Sequence, residues 1–156
     1  MASRTENPAN DFEFLAEFRY QIRRFVRFSE QAARQAGLEP RQHQLLLALK
    51  GLPSHVRPRM AELAERLQIQ HNSTVELVNR LAAGGFVKRE RGVVDRREVL
   101  LSVTPKGERV LKELSLHHRE ELRRAGPVLL KALYAVMNGE RGGRSRKTSG
   151  RKKKRS

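Results

Sequence analysis

Two short amphipathic segments, separated by a few residues and followed at once by two alternating strands, constrain this chain more than any other feature. "RMAELAERLQI" (residues 59–69) has Met60, Leu63, Ala64 and Leu67 at helical spacing. "HNSTVELVNRLAAGGF" (71–86) repeats the pattern with Val75, Val78 and Leu81 as its apolar face, and Gly84 and Gly85 end it. Asn72 and Ser73 are good N-cap types, and Glu76 three residues past Ser73 fits a capping box. Two short helices joined by so tight a turn predict a helix-turn-helix. "FVKRERGVVDRREVLLSV" (86–103) then predicts a hairpin: strands over Phe86–Arg91 and Arg97–Val103, with Gly92–Arg96 as the tip. A hairpin directly after a helix-turn-helix is a wing.

The flanks are helical. From Asp11 to Ala36, Phe14, Leu15, Phe18, Ile22, Phe25 and Val26 recur in steps that build one stripe, and Gly37 stops the helix. A helix this long and Phe-rich at the end of a small domain suits packing against a partner chain. Pro40–Lys50 predicts a second helix, and "GLPSHVRP" (51–58) a loop. After the hairpin, Thr104 and Pro105 start a helix that runs to about Arg124, where "AGP" should break it; Val128–Met137 predicts a last apolar helix. The expected fold is mainly α with a small β wing: a winged helix-turn-helix over about 38–104, between terminal helices at about 11–36 and 105–138, with 1–10 and 139–156 disordered.

Charge points to the partner. The formal net charge is +16, and the segment from Glu140 on carries nine Lys/Arg against one acidic residue, half of that surplus. Such a balance favours a polyanion, either nucleic acid or an acidic membrane surface. The tail has no apolar residue with which to order itself. There are no cysteines, so thiol redox sensing and thiolate metal sites are closed. No signal peptide and no apolar run of membrane-spanning length is present, so a cytoplasmic protein with no membrane partner is expected. His117, His118 and Glu121 share one helix and offer at most a partial ligand set; no metal, cofactor or catalytic acid–base pair is expected.

A helix fits the major groove and reads bases with its first residues, here His71, Asn72, Ser73 and Thr74. Glu76 fits self-capping better than a base contact. Arg80 lies far enough along to meet phosphate, as do Arg57 and Arg59 ahead of the helix pair. Arg89 and Arg91 line the first strand of the wing. At the tip, Asp95 is expected to orient a neighbouring guanidinium so that Arg96 or Arg97 enters the narrow minor groove.

"DRREVLLSVTPKG" (95–107) resembles the wing-to-helix signature of the MarR family of bacterial transcription regulators almost position by position, and "MAELAERLQIQHNSTVELVNRLAAGGFVKRE" resembles the helix-turn-helix before it. The likeness covers roughly 12–138 and implies a homodimer whose terminal helices interleave through Phe14, Phe18, Ile22, Phe25, Leu129 and Leu133. It further implies a regulator, by default a repressor of a pseudo-palindromic site on double-stranded DNA, that is not an enzyme and is released by a small phenolic or anionic ligand. The rival reading is a nucleoid-type or RNA-binding architectural protein that uses the tail without sequence preference.

Overall fold

The computed structural model describes residues 8–138; the expectations for 1–7 and for the basic tail 139–156 lie outside the described residues. The elements run α1 (Pro8–Gln35), α2 (Pro40–Lys50), α3 (Met60–Leu67), α4 (His71–Ala83), β1 (Val87–Arg91), β2 (Val99–Val103) and α5 (Pro105–Asn138). The winged helix-turn-helix is therefore α3, a three-residue turn, α4 and the β1–β2 hairpin, and the long α1 and α5 flank it.

Three helices end in the same way. At α1, Gly37 takes φ +79°, Leu38 N–H bonds Ala33 O at 2.9 Å and Gly37 N–H bonds Arg34 O at 3.0 Å, which is a Schellman motif. At α4, Gly85 (φ +76°) and Phe86 repeat it on Ala82 and Leu81. At α3 the left-handed position falls on Gln68 (φ +53°), whose backbone N–H and that of Ile69 bond Glu65 O and Ala64 O. A side chain there is strained, and the Gln68 amide offsets part of the cost by donating to Glu65 O at 2.8 Å.

Two boundaries differ from expectation. The first helix begins at Pro8 and not at Asp11, so residues 8–10 are helical and not part of a disordered lead; proline's fixed φ suits a first turn. The last two expected helices are one, because α5 runs unbroken through Pro127. A proline inside a helix removes the bond to the Arg123 carbonyl and crowds it, at a cost of roughly 3 kcal/mol. Burial of Leu111 and Leu114 before it and of Ala132 after it holds both halves of α5 in register.

The wing is antiparallel, with Val87 opposite Val103 and Arg91 opposite Val99. Leu101 N–H, on the outer edge of β2, bonds Pro58 O at 2.9 Å, so the segment before α3 closes that edge. Gly107 at the start of α5 leaves no room for a side chain: a Cβ would stand 2.4 Å from Phe86 O. Leu38, Leu45, Leu46, Leu63, Val78, Leu81 and Leu114 are fully buried and tie α2, α3, α4 and α5 into one core.

Candidate nucleic-acid interface

The first helical residue of α4 is His71, and the cap position is Gln70, whose side chain makes no capping bond. Ser73 is thus the third residue of the helix and not its cap, and the expected Ser73–Glu76 box does not form. Glu76 instead leans along the helix towards Arg80, with 4.0 Å between their charged atoms. With the cap three residues earlier, at Gln70 and not Ser73, Thr74 also turns inward. It is 0% exposed and its hydroxyl donates to Gln70 O at 3.2 Å, so Thr74 is withdrawn from the groove-reading set. The buried face is Thr74, Leu77, Val78 and Leu81. The opposite face presents Asn72, Glu76, Asn79 and Arg80, all exposed, with His71 exposed at the helix start and Ser73 half-buried.

Asn79 was not among the expected residues, although its spacing of seven from Asn72 puts it on the same face. Its Oδ1 accepts a hydrogen bond from Arg89 Nη2 on β1. That contact joins the wing to α4 directly, and Arg89 is a strut between them as well as a surface cation.

Arg57 and Arg59 are not free loop arginines. Arg57 Nη1 and Arg59 Nε each bond one carboxylate oxygen of Glu98 on the wing. The Glu98 side chain is only 9% exposed and the two arginines are about half exposed. This bridge fixes the wing against the segment leading into α3, and the outer guanidinium edges still face solvent. The sequence offered no signal for it, since 39 to 41 residues separate the partners.

The tip is built on backbone bonds. Gly92 N–H bonds Glu98 O at 2.9 Å and Glu98 N–H bonds Asp95 O at 3.1 Å. Asp95 Oδ1 accepts the Arg97 backbone N–H at 2.9 Å, an Asx-type turn. The expected pairing of Asp95 with a guanidinium does not occur: among the described residues Asp95 forms no ion pair, nor do Arg91, Arg96 and Arg97. A local bond to its own turn satisfies the carboxylate first. The three arginines are exposed at the far end of the hairpin.

The terminal helices show two apolar faces. Phe14, Phe18 and Phe25 on α1, and Leu129 and Leu133 on α5, are half-buried within the chain itself. Phe25 and Phe28 present their ring planes edge-on to His118, at centroid distances of 6.1 and 5.7 Å. Ile22 is exposed, together with Phe12, Leu15 and Val26 on α1 and Leu130, Tyr134 and Met137 on α5. This second set leaves a large apolar surface uncovered.

His118 is no solvated histidine. Its Nδ1 donates to Leu114 O at 2.6 Å and its Nε2 shares a hydrogen bond with the Ser29 hydroxyl at 2.7 Å, which engages both nitrogens. The His43 ring of α2 lies 4.9 Å away. Burial, and secondarily the neighbouring His118, push the His43 pKa down to about 4. No cluster of three or more His, Cys, Asp or Glu arranged to hold a metal exists among the described residues. Beside this junction a groove of about 380 Å³ is lined by Phe28, Gln31, His117, Glu120 and Arg124, among others.

Residues 36–98 match the model of the MarR family. The chain is 30% identical over 64 residues, 41% of its own length, to the uncharacterised HTH-type transcriptional regulator YsmB of Bacillus subtilis, and the match takes in only 44% of that protein. Among solved structures, AbsC, a MarR family transcriptional regulator from Streptomyces coelicolor, superposes with a TM-score of 0.64 at 22% identity, over 88% of this chain and 93% of AbsC. The transcriptional repressor CouR bound to a 23-mer DNA duplex superposes with a TM-score of 0.58 at 26% identity, over 76% and 87%. CouR from Rhodococcus jostii in complex with p-coumaroyl-CoA gives 0.57 at 18%, over 74% and 85%.

Proposed function

We propose that the chain is a winged helix-turn-helix transcription regulator of the MarR type, whose family model its residues 36–98 match, and that it binds double-stranded DNA as a homodimer and represses from a pseudo-palindromic site. The observation that carries this reading is the division of α4. One face is sealed into the core, and the other offers Asn72, Glu76, Asn79 and Arg80 beside a wing whose tip arginines have no carboxylate partner among the described residues. Asn pairs with adenine edges and Glu accepts from the cytosine amine, whereas the arginines meet phosphate or the minor groove. Arg57, Arg59, Arg91, Arg96 and Arg97 supply the electrostatic part. Ser73 and His71 reach the backbone beside the first turn.

Dimerisation is supported by the exposed apolar set on α1 and α5, which a second copy would cover. Among the residues expected from the sequence, Ile22 faces outward, while the half-buried Phe14, Phe18, Phe25, Leu129 and Leu133 first pack within the protomer. The DNA-bound state of CouR favours the DNA reading, and its complex with p-coumaroyl-CoA is in keeping with a small phenolic or anionic ligand for this chain. The tail from residue 140 adds affinity without sequence information, by releasing condensed counterions. No helix is long and apolar enough to cross a membrane among the described residues.

Selection from a pool of random duplexes tests the reading. An enriched dyad-symmetric sequence, lost when Asn72 or Glu76 is changed to Ala, is expected. Enrichment of nothing would favour the architectural alternative.

A further inference from the structure

Val93 and Val94 are 97% and 88% exposed, more so than any other large apolar side chain among the described residues. They sit at the outermost point of the wing, where turn chemistry ordinarily selects Gly, Asn, Asp or Ser. Neither helps to fold the turn. Gly92, Asp95 and Glu98 close it through backbone bonds and the Asx turn, so the valines are displayed from an ordered loop. Each is stiff at χ1 and surrenders little rotamer freedom when it packs.

We propose that Val93 and Val94 form an apolar wedge that enters the minor groove and opens a base step, a specificity element that rests on the DNA-binding reading above. Three observations select this occupant. Exposed Arg91, Arg96 and Arg97 flank the valines in sequence and outnumber the one exposed acidic residue among them, Asp95, which suits a partner anionic at its rim and apolar within, as a duplex is with phosphates outside stacked bases. Arg89 ties the wing to Asn79 on α4, which keeps the tip on the same side of the molecule as the exposed face of that helix. With α4 in the major groove, the adjoining groove within reach of the wing is the minor one. Apolar side chains inserted there unstack a base step and kink the duplex, most readily at flexible pyrimidine–purine steps. The two valines thereby read deformability at positions where the arginines read only groove width and charge.

The test uses the full-length protein and the double variant V93T/V94T, which keeps side-chain shape and removes apolarity. Duplexes with 2-aminopurine at successive positions report unstacking, and end-labelled duplexes report bending by energy transfer. Wild type is expected to brighten 2-aminopurine at one step in each half-site and to bend the duplex. The variant, with unchanged melting temperature, is expected to lose both signals and to bind about tenfold more weakly. Equal affinity and bend for variant and wild type would overturn the wedge. So would a variant that binds duplex normally but loses binding to phosphatidylglycerol vesicles, because the valines would then serve a lipid surface. Wild type that prefers no selected duplex over random DNA overturns the regulator reading instead; the wedge is then decided on the random duplex by the same two signals.

Discussion

Asp95 Oδ1 accepts the backbone N–H of Arg97 at 2.9 Å, so the acidic residue at the wing tip shapes its turn and does not neutralise the tip arginines. The two roles respond differently to substitution. Asn can accept the same bond and carries no charge. Asp95→Asn should bind DNA within about twofold of wild type, whereas Asp95→Ala should lose several-fold as the turn loosens. Arg97→Ala should cost about tenfold or more, in line with a phosphate or minor-groove contact. Fluorescence anisotropy on a selected duplex measures all three. An Asp95→Asn variant as weak as Asp95→Ala would restore the ion-pair role.

Glu98 holds Arg57 and Arg59 together, and its loss should free the wing more than it unfolds the domain. Both arginines are about half exposed, so solvent screening keeps the stability cost of Glu98→Gln near about 1 kcal/mol. The larger effect is local. Hydrogen exchange at the Gly92 and Glu98 amides should accelerate while exchange in α4 stays unchanged. Uniform acceleration across the domain would mean that the bridge supports the core.

His43 makes stability depend on acid. Its folded pKa lies at about 4 against an ordinary 6.5, and it is a base held neutral by burial. The unfolded chain takes up a proton near pH 6.5 and the native chain resists until about 4. Stability is therefore complete above about 6.5 and falls as pH drops towards 4, by roughly 3 kcal/mol in all. Carboxylates also titrate at the lower end, so the difference between wild type and His43→Gln is the readout. Chemical denaturation at pH 7 and 4.5 should show a smaller loss in the variant; equal losses would acquit His43.

The order of elements was legible in the sequence because apolar period and turn residues agree from Pro40 to Val103. What was not legible follows from competition between local and distant terms. Gln70 is a poor cap type, so the sequence pointed to Ser73, and the three-residue error moved Thr74 from the core to the groove. Pro127 reads locally as a break, and only the packing on either side of it keeps α5 whole. Arg57 and Arg59 meet Glu98 across a separation that no spacing rule reaches. On α1 two apolar faces run side by side, and periodicity cannot say which one the chain covers itself.

Gln68 occupies a left-handed position that glycine holds at Gly37 and Gly85. Gln68→Gly should raise stability, by up to about 1 kcal/mol, less what the lost side-chain bonds to Glu65 contributed. Thermal melts at fixed concentration decide this. A lower melting temperature would show that those side-chain bonds outweigh the backbone strain.

The central claim is that two copies of this chain present paired α4 helices to one discrete site. Hydroxyl-radical footprinting on genomic fragments tests it most directly, with light scattering on the same complex. The account expects dyad-symmetric protection in two patches about one helical turn (~10 bp) apart, and two protomers per duplex. Continuous protection that follows protein concentration but not sequence, or a protein that stays monomeric on and off DNA at micromolar concentration, would contradict it.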